Sequence, residues 1–302
     1  MSVLDRAALA TLPLLPRWLM RRLAARYIAG EELPEALSKL AELRARGFSG
    51  ILDILGEDVG DENAARAVLA SYRASASAVA GARLDCYVSV KPTHLGLRLS
   101  EELCHRLYDE LATHCAALSV PLRVEMEDHS TTDATLRVFE RLRLRHAHVG
   151  IVLQSRLKRT PEDIARLAPG PLWVRMVKGI YLEPAAIAEV EPEPIRTAYV
   201  AAARLLLERG ARVSFATHDE GLAERLFALC RELRIPRERY ELQVLLGVRE
   251  PLWERWHADG ERVRVYVPFG PEWRAYSTRR LRKNPQIFRH VLRDTLVRPF
   301  TR

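Results

Sequence analysis

Arg279 and Arg280 stand side by side in the stretch YSTRRLRKN, which follows the apolar run VRVYVPFG. Arginine is costly to bury and grips a carboxylate or phosphate through a planar fork, so an adjacent pair behind a strand is either surface charge or an anion clamp. Tyr276 lies three and four residues before them and shares a helical side with both. Further polar groups sit at the ends of other apolar runs: Lys91 in SVKPTH, Glu125 in RVEMED, Gln154 in IVLQSR, Lys178 in RMVKG and His218 in FATHD. Each alone is an ordinary solvated side chain, but a fold that gathers these run ends would converge them on one cleft. Arg175 differs from them because apolar residues flank it on both sides in LWVRMV, so it must either reach solvent or neutralise a buried anion. His94, His129 and His218 raise a metal-dependent hydrolase as a rival, although the first apolar run, LDILGED, lacks the HxH pattern that would set two imidazoles on one face. No GxSxG elbow and no GxxxxGK[ST] loop is present.

The elements that must position these groups are eight short apolar runs bounded by turn residues: 49–55, 84–90, 122–126, 148–154, 172–177, 212–216, 240–246 and 262–269. Between them lie helical spacings such as Ala64/Ala67/Val68/Tyr72, Leu103/Leu107/Leu111, Leu136/Phe139/Leu142, Ala198/Ala201/Leu205 and Leu222/Leu226/Leu229. Strand then helix, repeated eight times, predicts an α/β fold of the TIM type, a (βα)8 barrel, whose active site collects at the C-terminal ends of the strands. The runs do not alternate strictly, as expected of parallel strands covered by helices outside and filling a barrel inside. A doubly wound sheet ranks second, because no GxGxxG follows the first strand. Residues 4–28 and 34–46 read as helices, which divides the chain into an N-terminal helical arm (1–46) and a barrel with C-terminal helices (47–302).

Composition narrows the classes. The chain has 302 residues, 48% hydrophobic and 28% charged, enough to bury a large core. No apolar run reaches the roughly 20 residues of a membrane span, and prolines and arginines interrupt the first thirty residues before a secretory pattern forms. The expected location is the cytoplasm. Cys86, Cys104, Cys115 and Cys230 are far apart with no CxxC pair, so they read as buried thiols rather than zinc ligands or disulfides. The net charge of +8 is diffuse and aromatic residues make up 7%, which argues against a nucleic-acid platform.

The set RMVKGIYLEP, FATHD, VLLGV and RVYVPFG followed by YSTRRL resembles proline dehydrogenase in its short monofunctional bacterial form, and GILDILGE, SVKPTHLGL, VEMED and VLQSRLKRTPEDI extend the resemblance strand by strand. It covers about Gly47 to Asn284. It implies a distorted (βα)8 barrel with FAD at the C-terminal strand ends and proline stacked on the flavin. By this resemblance Arg279 and Arg280 hold the substrate carboxylate, with Lys91, Leu245, Tyr266 and Tyr276 around the ring. Glu125, Met126, Gln154, Arg175, Val177, Lys178, Gly179, Ile180, Thr217, His218 and Gln243 hold the flavin or lie beside the reacting atoms, Glu125 and Arg175 being the catalytic pair. The implied reaction is hydride transfer from the ring carbon next to nitrogen to flavin N5, giving Δ1-pyrroline-5-carboxylate. Electrons then pass to a quinone, which implies transient contact with the inner membrane face. Three positions depart from the family pattern: Glu125 where aspartate is usual, Ile180 where alanine is usual, and RRLRKN without the acidic residue of longer relatives. Ile180 is expected to crowd the flavin pocket. A catalytically lapsed barrel that only binds a ligand is the remaining alternative.

Overall fold

The computed structural model describes Arg21, residues 24–274 and Ser277. Tyr276, Arg279 and Arg280 lie outside the described residues, as does most of the 4–28 segment.

Helix α1 (Leu33–Ala45) precedes strand β1 (Ser49–Ile54). Then come α2 (Glu62–Gly81), β2 (Cys86–Val90), α3 (Glu101–Ala117), β3 (Leu122–Val124), α4 (Thr132–Arg143) and β4 (Val149–Gln154). The second half runs α5 (Thr160–Arg166), β5 (Trp173–Val177), α6 (Pro192–Glu208), β6 (Arg212–Ala216), α7 (Glu220–Glu232), β7 (Tyr240–Leu245), α8 (Glu250–Ala258) and β8 (Val263–Phe269). The strands pair in parallel and in sequence order, and β8 pairs back onto β1 with Ile51 opposite Tyr266, so the sheet closes into the expected eight-stranded barrel.

Local chemistry explains the helix starts. Asp61, Ser100 and Asp219 each accept a hydrogen bond from a first-turn backbone N–H, those of Ala64, Leu103 and Leu222, at 2.8, 3.3 and 3.2 Å. Helix α2 then buries Ala65, Leu69, Tyr72, Ala76 and Val79, a stripe stepping by four and three residues that must face the sheet. Each fully buried aliphatic or aromatic side chain of this kind contributes about 1.5–3 kcal/mol. Helix α1 lays Ala36, Leu40 and Leu43 against β1 and β8. Gly50 allows this approach, since a Cβ there would fall 2.2 Å from Leu40 Cδ2.

The barrel interior departs from expectation. The apolar runs conceal a two-row pattern in which the outward residues, such as Val174 and Met176 of β5, Leu242 and Val244 of β7, and Val263, Val265 and Val267 of β8, join the apolar core beneath the helices. The inward row is largely polar, with Asp53, Tyr87, Ser89, Arg123, Arg175, Ser214, Glu241, Gln243, Arg264 and Tyr266 beside the apolar Ile51 and Val152. The polar side chains bond across the barrel rather than to strand neighbours alone. Arg123 Nη2 donates to Ser214 Oγ at 3.4 Å, and Gln243 Nε2 donates to Tyr87 Oη at 2.8 Å.

The lower layer is held by Arg264, whose Nε donates to both oxygens of Glu241 at 3.2 and 3.1 Å and whose Nη2 donates to Asp85 Oδ1 at 3.1 Å. Burial pushes the Glu241 carboxyl up, but Arg264 and the Gln243 amide outweigh it and hold the group at about 2. Arg123 sits 3.6 Å from the Trp173 ring centroid and donates to the Ile151 and Trp173 carbonyls at 3.0 and 3.1 Å. Its burial draws the guanidinium down to about 10.

Candidate active site

At the C-terminal mouth of the barrel lies a cavity of about 700 Å3, within the size range of cofactor and substrate pockets. Every described residue that the resemblance assigns to substrate, flavin or catalysis lines it: Lys91, Glu125, Met126, Gln154, Arg175, Val177, Lys178, Gly179, Ile180, Thr217, His218, Gln243, Leu245 and Tyr266. They come from strand ends β2 to β8, so a set scattered over nearly 180 positions converges through the closure of the sheet alone.

Arg175 forms the floor, and the anion that it neutralises is Glu125, to which Nη1 donates. Its Nε donates to Gln243 Oε1 at 2.6 Å, and its Nη2 donates to Tyr87 Oη at 2.9 Å and Ser89 Oγ at 3.3 Å. Glu125 follows the last residue of β3 and also accepts from Ser89 Oγ and, at 3.4 Å, from Tyr266 Oη. Burial pushes its carboxyl upward, yet Arg175, the Ser89 hydroxyl and Lys91 outweigh that and hold it below the ordinary range. The guanidinium lies 5.3 Å from the Tyr266 ring centroid, so the phenol ring covers one side of the charge.

Beside this floor, Lys91 Nζ donates to both oxygens of Asp53 at 3.3 Å. Burial depresses the ammonium, but Asp53 and Glu125 raise it more, so Lys91 stays charged. Burial lifts the Asp53 carboxyl, Lys91 opposes this, and the balance remains upward. Asp53 was not singled out from the sequence, although LDIL carries the signal that exposed Arg175: a charged residue with apolar neighbours on both sides. Tyr87 and Ser89 were likewise hidden within LDCYVSV.

The lip is built by the loop after β5. Gly179 has φ +99°, and a Cβ there would meet Arg156 Cδ at 2.7 Å and Gln154 Oε1 at 2.9 Å, so only glycine lets the backbone pass this close. Gln154 Nε2 donates to the Glu127 carbonyl at 2.7 Å, which fixes the amide under that turn. Lys178 and Arg196 both donate to Asp219, at 2.5 and 2.6 Å, and hold its carboxyl at about 2 against the upward push of burial. Asp219 N donates to Thr217 Oγ1 at 3.0 Å. Leu245 N donates to His218 Nε2 at 2.8 Å, which leaves the ring proton on Nδ1. Ile180 is 60% exposed at the lip, so it borders the cavity without being packed into the core. Ile180→Ala should therefore change stability by less than about 0.5 kcal/mol, which thermal unfolding checks; a larger loss would show that the side chain is packed.

The three histidines sit in separate surroundings. His129 Nδ1 pairs with Glu183 Oε2 at 2.5 Å, His218 accepts from Leu245, and His94 is buried beside Gly56 with burial drawing its ring down to about 4. Among the described residues no group of three or more His, Cys, Asp or Glu side chains is placed to hold a metal ion.

The proline dehydrogenase family model matches residues 36–291. Proline dehydrogenase 1 of Bacillus subtilis subsp. natto is 31% identical over 273 residues, 90% of this chain and 90% of that protein. Proline dehydrogenase of Deinococcus radiodurans is 32% identical over 287 residues, 93% of either chain. Among solved structures, proline utilization A from Bdellovibrio bacteriovorus inactivated by N-propargylglycine aligns with a TM-score of 0.81 and 26% identity, over 87% of this chain and 32% of that longer one. With a family model matched over residues 36–291 and relatives 31–32% identical over nine tenths of the chain, the protein belongs to the proline dehydrogenase family.

Proposed function

We propose that the chain oxidises L-proline to Δ1-pyrroline-5-carboxylate with FAD bound in the barrel mouth, the first step of proline catabolism. The observation that carries this reading is the Arg175 floor: a charged donor array beneath a cavity bordered by every described residue that the family resemblance assigns. The residues fit a flavin dinucleotide. Lys178, Arg196 and Arg249 put cationic groups at the lip, where a diphosphate needs them, and the Gly179 turn admits close approach to backbone.

When bound, FAD supplies the two-electron acceptor, taking a hydride from the substrate and passing its electrons to a quinone-type molecule. The chain's own residues bind, orient and hold charge. Proline loses a hydride from the ring carbon next to nitrogen and a proton from nitrogen. Arg279 and Arg280 grip the carboxylate as a fork, while Leu245 and Tyr266 supply the apolar wall for a pyrrolidine. Lys91 and the two arginines disfavour a charged amine beside them, which lowers its pKa and eases loss of the proton. Arg175 spends its Nε hydrogen, both Nη2 hydrogens and one Nη1 hydrogen on Gln243, Tyr87, Ser89 and Glu125. The other Nη1 hydrogen, without a partner among the described residues, is available to stabilise negative charge arriving in the cavity. The net charge of +8 favours contact with an anionic lipid surface, where a quinone is reached.

Anaerobic addition of proline to the purified yellow protein should bleach it. Arg279→Met and Arg280→Met should each weaken proline capture by about one to two orders of magnitude with flavin retained, since a charge-assisted hydrogen bond contributes roughly 1.5–3 kcal/mol. Lysine at either position should rescue only in part. Ordinary proline affinity in both methionine variants would make the pair surface charge and misplace the substrate.

A further inference from the structure

We infer that Glu241, which lies beneath the cavity and does not line it, is a positioning residue that aims Arg175 through the side-chain amide of Gln243. The inference rests on the flavin and proline reading of the cavity. Glu241 is fully buried, and its Oε1 accepts from Gln243 Nε2 at 2.6 Å and from Ser214 Oγ at 3.0 Å. Gln243 Nε2 also donates to Tyr87 Oη at 2.8 Å, while its Oε1 accepts from Arg175 Nε at 2.6 Å.

These partners permit one orientation of the amide. Turned over, Gln243 would set its NH2 group against the Nε–H of Arg175 and its oxygen against the carboxylate of Glu241, two like-with-like contacts in a buried layer. The carboxylate is thus what keeps Gln243 an acceptor toward Arg175. A guanidinium is a rigid planar fork, so fixing Nε through Gln243 and Nη2 through Tyr87 and Ser89 fixes the direction of Nη1 as well. Arg264, donating from Nε to both Glu241 oxygens, anchors the chain of contacts in the lower layer. The sequence Arg264, Glu241, Gln243, Arg175 therefore connects the closed end of the barrel to the charge that faces the ligand. Catalytic groups must be held to about 0.5 Å and 10–20°, which gives such a support a kinetic consequence without contact with the reacting atoms.

The experiment is a double-mutant cycle on the FAD-loaded protein: Glu241→Gln, Gln243→Met and both together, mixed anaerobically with proline. The readouts are flavin content, the limiting rate of bleaching and the proline concentration at half-maximal rate. Each single variant should lose about tenfold in limiting rate while the half-saturating proline concentration changes by less than about twofold. The double variant should be no slower than Gln243→Met. That non-additivity distinguishes positioning through Gln243 from a general loosening of the barrel, whose cost would multiply in the double variant. A limiting rate in Glu241→Gln within twofold of the parent overturns the inference, as does full multiplication. If Glu241→Gln does not accumulate as folded protein, Glu241→Asp replaces it, keeping a charge for Arg264 while withdrawing the oxygen from Gln243, and the same criteria apply. A parent protein that is colourless, or that proline does not bleach, overturns the proposed function and this inference together, and is seen before any variant is made.

Discussion

Arg175→Ala is expected to give a barrel that has lost most of its flavin or its bleaching by proline. Where flavin remains, the limiting rate should fall by about 10²–10³-fold, the effect of removing one preorganised donor from a site of developing negative charge. The same substitution strands Glu125, whose carboxyl is held down by Arg175 against its own burial. Breaking one side of a buried ion pair costs about 3–5 kcal/mol, because the remaining charge stays out of water. In the parent, a depressed folded pKa means that Glu125 stabilises the fold above the unfolded carboxylate pKa and loses this contribution as pH falls through the lower folded value. In the variant the strongest opposition to burial is gone and only the Ser89 hydroxyl and Lys91 still hold the carboxyl down, so it rises and the deficit grows with pH. Thermal unfolding of both proteins from about pH 4 to pH 8, with flavin content and bleaching rate at neutral pH, checks the three effects together. Full flavin content with normal turnover would remove Arg175 from the site.

Lys91→Met should produce the second large effect, through a different pair. Its ammonium pairs with Asp53 at 3.3 Å and also feels the Glu125 charge, and methionine leaves the buried Asp53 without its cation while Glu125 keeps Arg175. The expected cost at neutral pH is again about 3–5 kcal/mol. Asp53 is already above the ordinary range, burial lifting it while Lys91 opposes. An acid with a raised folded pKa stabilises the fold below its unfolded pKa and loses that contribution as pH rises through the folded one. Removing Lys91 lifts Asp53 further. The variant should therefore match the parent closely near about pH 4 and fall behind through neutrality, a pattern that thermal unfolding at several pH values will show or refute. An equal deficit at all pH values would mean that Lys91 contributes packing and not charge.

Much of this was legible in the sequence. The runs read at 148–154 and 212–216 are, within one residue, β4 and β6. Strand ends then located the cavity, since a parallel barrel gathers them at one mouth. The third run was read to Met126, but β3 ends at Val124; Glu125 N still donates to the Val90 carbonyl at 2.9 Å, and its side chain keeps the inward direction of Arg123 and meets Arg175. The inward polar row was not read. Its outward partners are Val, Leu, Ile and Phe, so each strand looks apolar throughout until the direction of every second side chain is known. Asp53 and Glu241 were missed for that reason, since a single charge in an apolar run shows that it must be paired but not with what. Gly179 was assigned through resemblance, whereas its physical requirement, the close pass over Arg156 and Gln154, is visible only in three dimensions.

The polar interior also bears on how the chain can assemble. Gln243 and Tyr87 are 156 positions apart, Tyr266 and Glu125 141, and Arg175 and Tyr87 88. A half-built barrel would hold these charged and amide groups dry without partners, or leave them wet and the sheet open. Loop closure over such separations is slow and is rewarded only at the end. The ring therefore has no stable arc: its two halves cannot mature as separate units, and the network that later serves the ligand makes closure of the barrel a single cooperative event.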